Sequence, residues 1–155
     1  MQKWLVLDLD YCMGCRSCAA ACQAAFKGEA RIKHTEIGSE AFLPFACRHC
    51  EEPLCATACP TEAITRDEKT GIVKRSTFLC VGCYSCAYAC PFGVIDPALV
   101  KHVSQKCDLC EDRAEGPRCA ASCPTGALKF LTEKEIKKIE VGRRILSQHP
   151  YWRRV

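Results

Sequence analysis

Apolar residues along this chain come in short bursts separated by turns. Trp4-Leu5-Val6-Leu7-Asp8-Leu9 predicts an early strand, and Ala41 to Phe45 predicts another. Ala63-Ile64-Thr65, then Asp67-Glu68-Lys69-Thr70-Gly71, then Ile72-Val73-Lys74 read as strand, glycine-containing turn and strand, a hairpin. Ala127-Leu128-Lys129-Phe130 repeats the same local grammar, so the chain reads as internal repeats of one small unit. Thr132-x-x-Glu135 is a capping box, and Ile136, Ile139 and Leu146 fall on one face, predicting a helix from about Glu133 to Leu146. The segments after Cys22 and Cys90 read as irregular insertions.

Cysteine changes this picture most. Sixteen cysteines in 155 residues fall into four groups of four. Cys12, Cys15, Cys18, Cys22 and Cys80, Cys83, Cys86, Cys90 both read C-x2-C-x2-C-x3-C. Cys47, Cys50, Cys55, Cys59 read C-x2-C-x4-C-x3-C, and Cys107, Cys110, Cys119, Cys123 read C-x2-C-x8-C-x3-C. Proline follows the last cysteine in the second, third and fourth groups. This is the ligand spacing of bacterial ferredoxins, in which thiolates hold cubane iron–sulfur clusters. A cubane needs four soft anionic ligands, and thiolate supplies them. Two intervening residues wrap three sulfurs around one cube. The fourth cysteine begins a helical turn and points to the other cluster of a two-cluster unit. Proline suits that turn, where its missing N–H is no loss.

Zinc sites pair separated C-x2-C knuckles, whereas Cys12 to Cys22 packs four cysteines into one short loop. Disulfides belong to oxidising compartments, and Met1-Gln2-Lys3-Trp4 leads into a strand rather than an apolar signal segment. No apolar run approaches the ~20 residues of a membrane helix. A soluble, cytoplasmic protein is expected. Neither G-x-G-x-x-G nor a P-loop occurs, and no nucleophile–base constellation is visible, so the chain is expected not to be an enzyme itself.

A formal charge of +4 counts the thiols as neutral. Each oxidised cubane with four thiolates carries about −2, which brings the loaded protein to about −4 and removes the case for nucleic acid as a partner. The formal excess sits at the C-terminal end: residues 1–132 hold 15 basic and 15 acidic side chains, residues 133–155 hold 7 and 3. The last of these, His149-Pro150-Tyr151-Trp152-Arg153-Arg154-Val155, reads either as a frayed tail or as a docking element, since Trp, Tyr and Arg anchor interfaces. His49, between Cys47 and Cys50, reads as a turn-shaping residue or a hydrogen-bond donor to a cluster. His34, His102 and His149 show no ligand spacing, and Glu51-Glu52 and Glu111-Asp112 read as solvated turns.

The fold class expected is α+β: two interleaved bacterial-ferredoxin-like units, each with two [4Fe–4S] clusters, plus a C-terminal helix and tail. The hairpin between the second and third groups favours pairing those two, which leaves the first to pair with the fourth. The competing scheme pairs the first with the second and the third with the fourth. In the favoured scheme residues 1–131 form one domain, with an outer unit from 1–40 and 96–131 and an inner unit from 41–95, followed by residues 132–155. It brings Trp4–Leu9 near Ala127–Leu131.

Cys47-Arg48-His49-Cys50-Glu51-Glu52-Pro53-Leu54-Cys55, then Gly82-Cys83-Tyr84-Ser85-Cys86-Ala87-Tyr88-Ala89-Cys90-Pro91-Phe92-Gly93, then Lys106-Cys107-Asp108-Leu109-Cys110 closely resemble one family. It is the four-cluster electron-transfer subunit of the dimethyl sulfoxide reductase and formate dehydrogenase type, similar also to small subunits of tungsten aldehyde oxidoreductases. The resemblance implies four [4Fe–4S] clusters. Cys12, Cys15, Cys18 and Cys123 would hold the first; Cys22, Cys107, Cys110 and Cys119 the second. Cys47, Cys50, Cys55 and Cys90 would hold the third; Cys59, Cys80, Cys83 and Cys86 the fourth. It implies a relay between a molybdenum or tungsten pterin enzyme, such as an aldehyde oxidoreductase, and a flavin subunit or soluble ferredoxin. A freely diffusing polyferredoxin and a self-stacking filament are the rival readings. Gln23 after Cys22, where the other groups have proline, departs from the pattern, and the membrane anchor of larger relatives has no counterpart here.

Overall fold

The computed structural model describes residues 2–101, 105–139 and 144–148 of the chain. Strand β1 (Lys3–Asp8) lies at the centre of a three-stranded antiparallel sheet. On one edge it pairs with β6 (Leu128–Thr132), with Lys3 opposite Thr132 and Leu7 opposite Leu128. The beginning of the chain is therefore tied to residues beyond the last cysteine, as expected. Both faces of β1 are covered. Leu5 and Leu7 point into a core with Leu128, Cys18, Cys22 and Cys119, while Val6, on the opposite face, packs on Ile136 and Ile145.

The other edge of β1 holds β7 (Ile145–Ser147), with Leu7 opposite Leu146. This corrects the expected helix from Glu133 to Leu146. The capping box does form: the Thr132 N–H and hydroxyl both donate to Glu135 at 2.7 Å. The helix it starts, α6 (Glu133–Ile136), is however a single turn. Two physical reasons compete successfully with helical propensity. Gly142 is a poor helix former, and the edge of β1 offers backbone groups that need partners. Alternation along the strand then sends Ile145 into the small core with Val6 and Ile136. Residues 149–155, including the expected aromatic and basic tail, lie outside the described residues, as do residues 140–143.

Because Ile145 is 2% exposed in that core, Ile145→Ala is expected to cost about 2–4 kcal/mol. Thermal unfolding of the iron-loaded protein measures it. A change near zero would fit an exposed helical position and contradict the strand.

The residues after α1 (Ser17–Phe26) are not the irregular insertion expected. They form a hairpin, β2 (Lys33–Ile37) against β3 (Ala41–Phe45), with Lys33 opposite Phe45. The hairpin spans residue 40, where the expected division between outer and inner units falls. Ala41 is buried while Phe42 faces out, a half-buried alternation diluted in sequence by Lys33, His34 and Glu36. After Cys90 the chain forms α4 (Pro97–Lys101), which buries Leu99 and Val100.

The expected hairpin between the second and third cysteine groups is present as β4 (Ile64–Arg66) and β5 (Val73–Arg75). Asp67 closes its turn by accepting from the Lys69 N–H at 2.8 Å. The remaining helices are short: α2 (Leu54–Thr57), α3 (Ser85–Ala89) and α5 (Arg118–Ala121). Helix α1 packs on α5 and α2 on α3. Cysteines are members of both larger cores: Cys18, Cys22 and Cys119 in one, Cys47 and Cys86 in the other.

Candidate metal centres

Each cysteine group begins in a loop that turns through left-handed backbone. Gly14 and Arg16 have φ of 71° and 59°, and Gly82 and Tyr84 repeat this at 70° and 65°. His49 in the second group and Leu109 and Cys110 in the fourth adopt the same region. Such turns aim successive N–H groups inward, a concavity suited to an anion. Gly14 has a second constraint, since a Cβ there would come within 2.6 Å of the Phe42 ring.

The loops gather sulfurs from distant parts of the chain. Cys12, Cys15, Cys18 and Cys123 line one cavity, walled by Leu7 and Leu128. Cys59, Cys80, Cys83 and Cys86 line another, walled by Ile64, Arg75 and Val100. Cys119 lies near Cys22 and Cys110, then Cys18, and also neighbours Cys107. Cys50 and Cys55 both sense Cys47 and Cys90. Cys107 senses Cys47 most strongly after burial, so these last two gatherings adjoin one another. Among the described residues no three His, Cys, Asp or Glu are placed to hold a single metal ion; the sulfurs stand around spaces rather than converging on a point. A separate apolar cavity of about 490 Å³, lined by residues such as Leu43, Phe45 and Leu146, has no cysteine in its wall.

Two groups among the sulfurs are shifted in opposite directions. The Ser17 and Ser85 hydroxyls lie 3.4 Å from Cys15 Sγ and Cys83 Sγ, and hydrogen bonding with the side chain and backbone of those serines holds the two exposed thiols below their ordinary value. Burial works against Cys59 and Cys123, yet both come out lowered by bonds from nearby hydroxyls and amides. The Ala63 N–H donates to Cys59 Sγ at 3.3 Å and the Leu128 N–H to Cys123 Sγ at 3.4 Å. Each of these four cysteines has Ser or Thr two residues on. Desolvation pushes Cys18 and Cys55 up to about 11 and Cys119 up to about 12, and raises Cys107 strongly. Thiols so raised stay protonated at neutral pH unless a metal displaces the proton.

Whether a cubane cluster fits can be judged from the polar atoms around the sulfurs. The buried side-chain atoms without a partner among the described residues are Arg31 Nη1, His49 Nε2, Arg66 Nε, and Arg75 Nε and Nη1. His49 Nδ1 accepts the Val73 N–H at 2.9 Å, so its proton sits on Nε2 and every one of these atoms is a donor. Donors of one kind left over in a protein interior call for acceptors. Sulfides and thiolates of an anionic cluster are such acceptors. The Arg31 N–H already donates to Cys22 Sγ at 3.2 Å, and Lys106 Nζ to Cys47 Sγ at 3.1 Å. The donor set fits the group.

Of the residues singled out in the sequence, His49 ties the second cysteine loop to β5, and its ring is held well below the ordinary value, near about 3, chiefly by burial. His34 has no ligand spacing, yet its Nε2 lies 3.4 Å from Cys18 Sγ. Glu111 pairs with Lys74, and Asp112 with Arg118 at 3.0 Å; Glu51 and Glu52 are exposed. His102 and His149 lie outside the described residues. Sequence reasoning missed the buried cations Arg31, Arg75 and Lys106. Arg75 carried a signal: it sits two residues from Val73 on a strand and so shares the inward face.

Comparison with known proteins agrees with this geometry. A family model described as 4Fe-4S dicluster domain matches residues 38–133, and a 4Fe-4S binding domain matches residues 9–25. The electron transport protein HydN of Escherichia coli K12 is 31% identical over 172 residues, covering 93% of this chain and 96% of HydN. Formate hydrogenlyase subunit 2 of the same strain is 30% identical over 186 residues, covering 95% and 90%. The putative oxidoreductase UacF is 37% identical over 153 residues, covering 92% of this chain but 23% of UacF. The chain thus spans about a quarter of the length of that relative and of the putative oxidoreductase AegA.

Proposed function

The chain belongs to the 4Fe-4S dicluster domain family of iron–sulfur electron-transfer proteins, and from that premise we propose that it relays electrons through four [4Fe–4S] clusters as the non-catalytic subunit of an oxidoreductase. Cys12, Cys15, Cys18 and Cys123 hold the first cluster, and Cys22, Cys107, Cys110 and Cys119 the second. Cys47, Cys50, Cys55 and Cys90 hold the third, and Cys59, Cys80, Cys83 and Cys86 the fourth. The observation that supports this reading is that the cysteines of the first set line one cavity and those of the fourth line another. When bound, each cluster accepts and returns one electron at nearly fixed geometry.

The sets adjoin in sequence. Helix α1 carries Cys18 of the first and Cys22 of the second. Cys107 of the second neighbours Cys47 of the third. Helix α3 carries Cys86 of the fourth and ends at Cys90 of the third. The end sets hold the exposed Cys15 and Cys83, the points at which an electron would enter or leave.

The catalytic partner proposed is a molybdenum or tungsten pterin enzyme, an aldehyde oxidoreductase being one example, with a flavin subunit or soluble ferredoxin at the other end. A relative named formate hydrogenlyase subunit 2 and another named putative oxidoreductase support a catalytic partner in general. One surface favours a stable complex over a freely diffusing polyferredoxin. Residues 76–95 carry no charged side chain, and around Cys80 and Cys83 they leave Phe78, Val81 and Tyr88 exposed at 97%, 67% and 88%. So much uncharged apolar surface marks a protein contact.

Anaerobic affinity purification with metal analysis tests the assignment. A large co-purifying oxidoreductase containing molybdenum or tungsten is expected. A monomer carrying iron alone would leave the diffusing carrier, and large species of this chain alone would leave self-stacking.

A further inference from the structure

Strand β5 alternates, so Val73 and Arg75 point inward while Lys74 reaches Glu111 on the outside. Arg75 is 1% exposed. Its backbone N–H donates to Gln105 Oε1 at 2.9 Å, and its Nη2 to the Leu99 carbonyl at 2.8 Å. The same Gln105 oxygen accepts the Lys106 N–H at 3.1 Å, and the Gln105 carbonyl accepts Arg31 Nε at 2.9 Å. Gln105 and Lys106 therefore form a strap that fastens two buried arginines and carries a third buried cation itself.

Lys106 is 2% exposed. Its ammonium donates to Cys47 Sγ at 3.1 Å and to the Cys107 carbonyl at 3.3 Å. Among the described residues no carboxylate lies against it. A buried lysine without a carboxylate is costly unless another anion compensates it. The sulfurs it touches or senses supply one: Cys47 and Cys55 on one side, Cys107 on the other.

We propose that Lys106 bridges the two middle clusters and raises the reduction potential of both. This rests on the four ligand sets above. Cys47 and Cys55 belong to the third set and Cys107 to the second, so a single fixed positive charge serves two neighbouring clusters. Reduction adds one negative charge to a cluster, and a buried cation stabilises that charge more than water at a distance does. The end sets are served differently, by the hydroxyls of Ser17, Thr61, Ser85 and Thr125 and, at the fourth set, by Arg75 beside Cys86, none of them shared between the two middle sets.

The test is a redox titration followed by electron paramagnetic resonance on the iron-loaded protein, its Lys106→Met and Lys106→Arg variants, with iron counted in each. Signals of the end clusters are identified from Cys15→Ser and Cys83→Ser. A parent protein with fewer than four clusters would fail the ligand sets themselves. With the parent complete, Lys106→Met is expected to lower the midpoint of the two middle signals and leave the end signals in place, while Lys106→Arg restores them. Iron loss in Lys106→Met confined to the middle signals, and restored in Lys106→Arg, also supports the bridge. Unchanged middle midpoints, or a shift or loss at the ends, would overturn it.

Discussion

Stripped of its iron, the protein is expected to lose its cooperative fold. Its regular elements run from three to ten residues, too short to persist without tertiary support. Part of that support comes from the sulfurs. Cys18, Cys22 and Cys119 lie in the core under β1, and Cys47 and Cys86 in the core beside β5. Without metal the interior would also keep Arg75 and Lys106, at 1% and 2% exposure, with no cluster anion to face them. An uncompensated buried charge costs several kcal/mol, which is a large part of the roughly 5–15 kcal/mol of a typical domain. Structural metals supply folding energy on this scale. Circular dichroism of chelated protein should therefore show little regular structure and no cooperative melt. A native-like spectrum with a sharp melt in the iron-free chain would contradict the account.

Single ligand losses are expected to differ sharply between the middle and the ends. Cys119 is 8% exposed and packs with Leu5, Leu7, Ala127 and Leu128. Replacing it by alanine removes a thiolate of the second set and opens the core that joins β1 to β6. The expected result is loss of the second cluster, strong loss of the neighbouring first, and an unstable chain. Cys83 is exposed and lies in a loop outside the cores. Cys83→Ala should cost one cluster, taking iron from about 16 to about 12 per chain, with the dichroism spectrum nearly unchanged. Iron analysis and thermal melting of the two variants decide the matter. Equal losses in both would show that burial of the ligand does not govern stability here.

Much of the site is legible in the chain itself, because cysteine spacing is a local code. Three residues of a C-x2-C-x2-C loop have few ways to present three sulfurs. The β4–β5 hairpin is legible for a similar reason: Asp67 and Gly71 form a turn of known chemistry. The end of the chain is not. Ile136, Ile139 and Leu146 share a helical face in projection, but Ile145 and Ser147 are buried at strand spacing because β1 has an edge to fill. Which strand needs a partner is a tertiary fact. Of the β2–β3 hairpin, β3 is legible as the strand expected over Ala41–Phe45, whereas β2 is hidden, since it contributes no fully buried residue.

Lys106 shows a different limit. A lysine beside a cysteine loop reads as solvated by default, and nothing local distinguishes it. Its burial follows from the approach of Cys47, which its ammonium touches, to Cys107, its neighbour in sequence. The same meeting explains why Gln148, beyond β7, matters: its side chain donates to the Cys47 carbonyl and its Oε1 accepts the Leu5 N–H at 3.0 Å. One glutamine thus fastens the central strand to the second cysteine loop.

The claim that the chain holds four one-electron centres in one fold is tested most directly by coulometric reduction under anaerobic conditions, with iron counted on the same sample. Uptake of about four electrons and about 16 iron atoms per chain is expected. Uptake of about two electrons with about eight iron atoms would contradict it, leaving half of the sulfurs without a redox role.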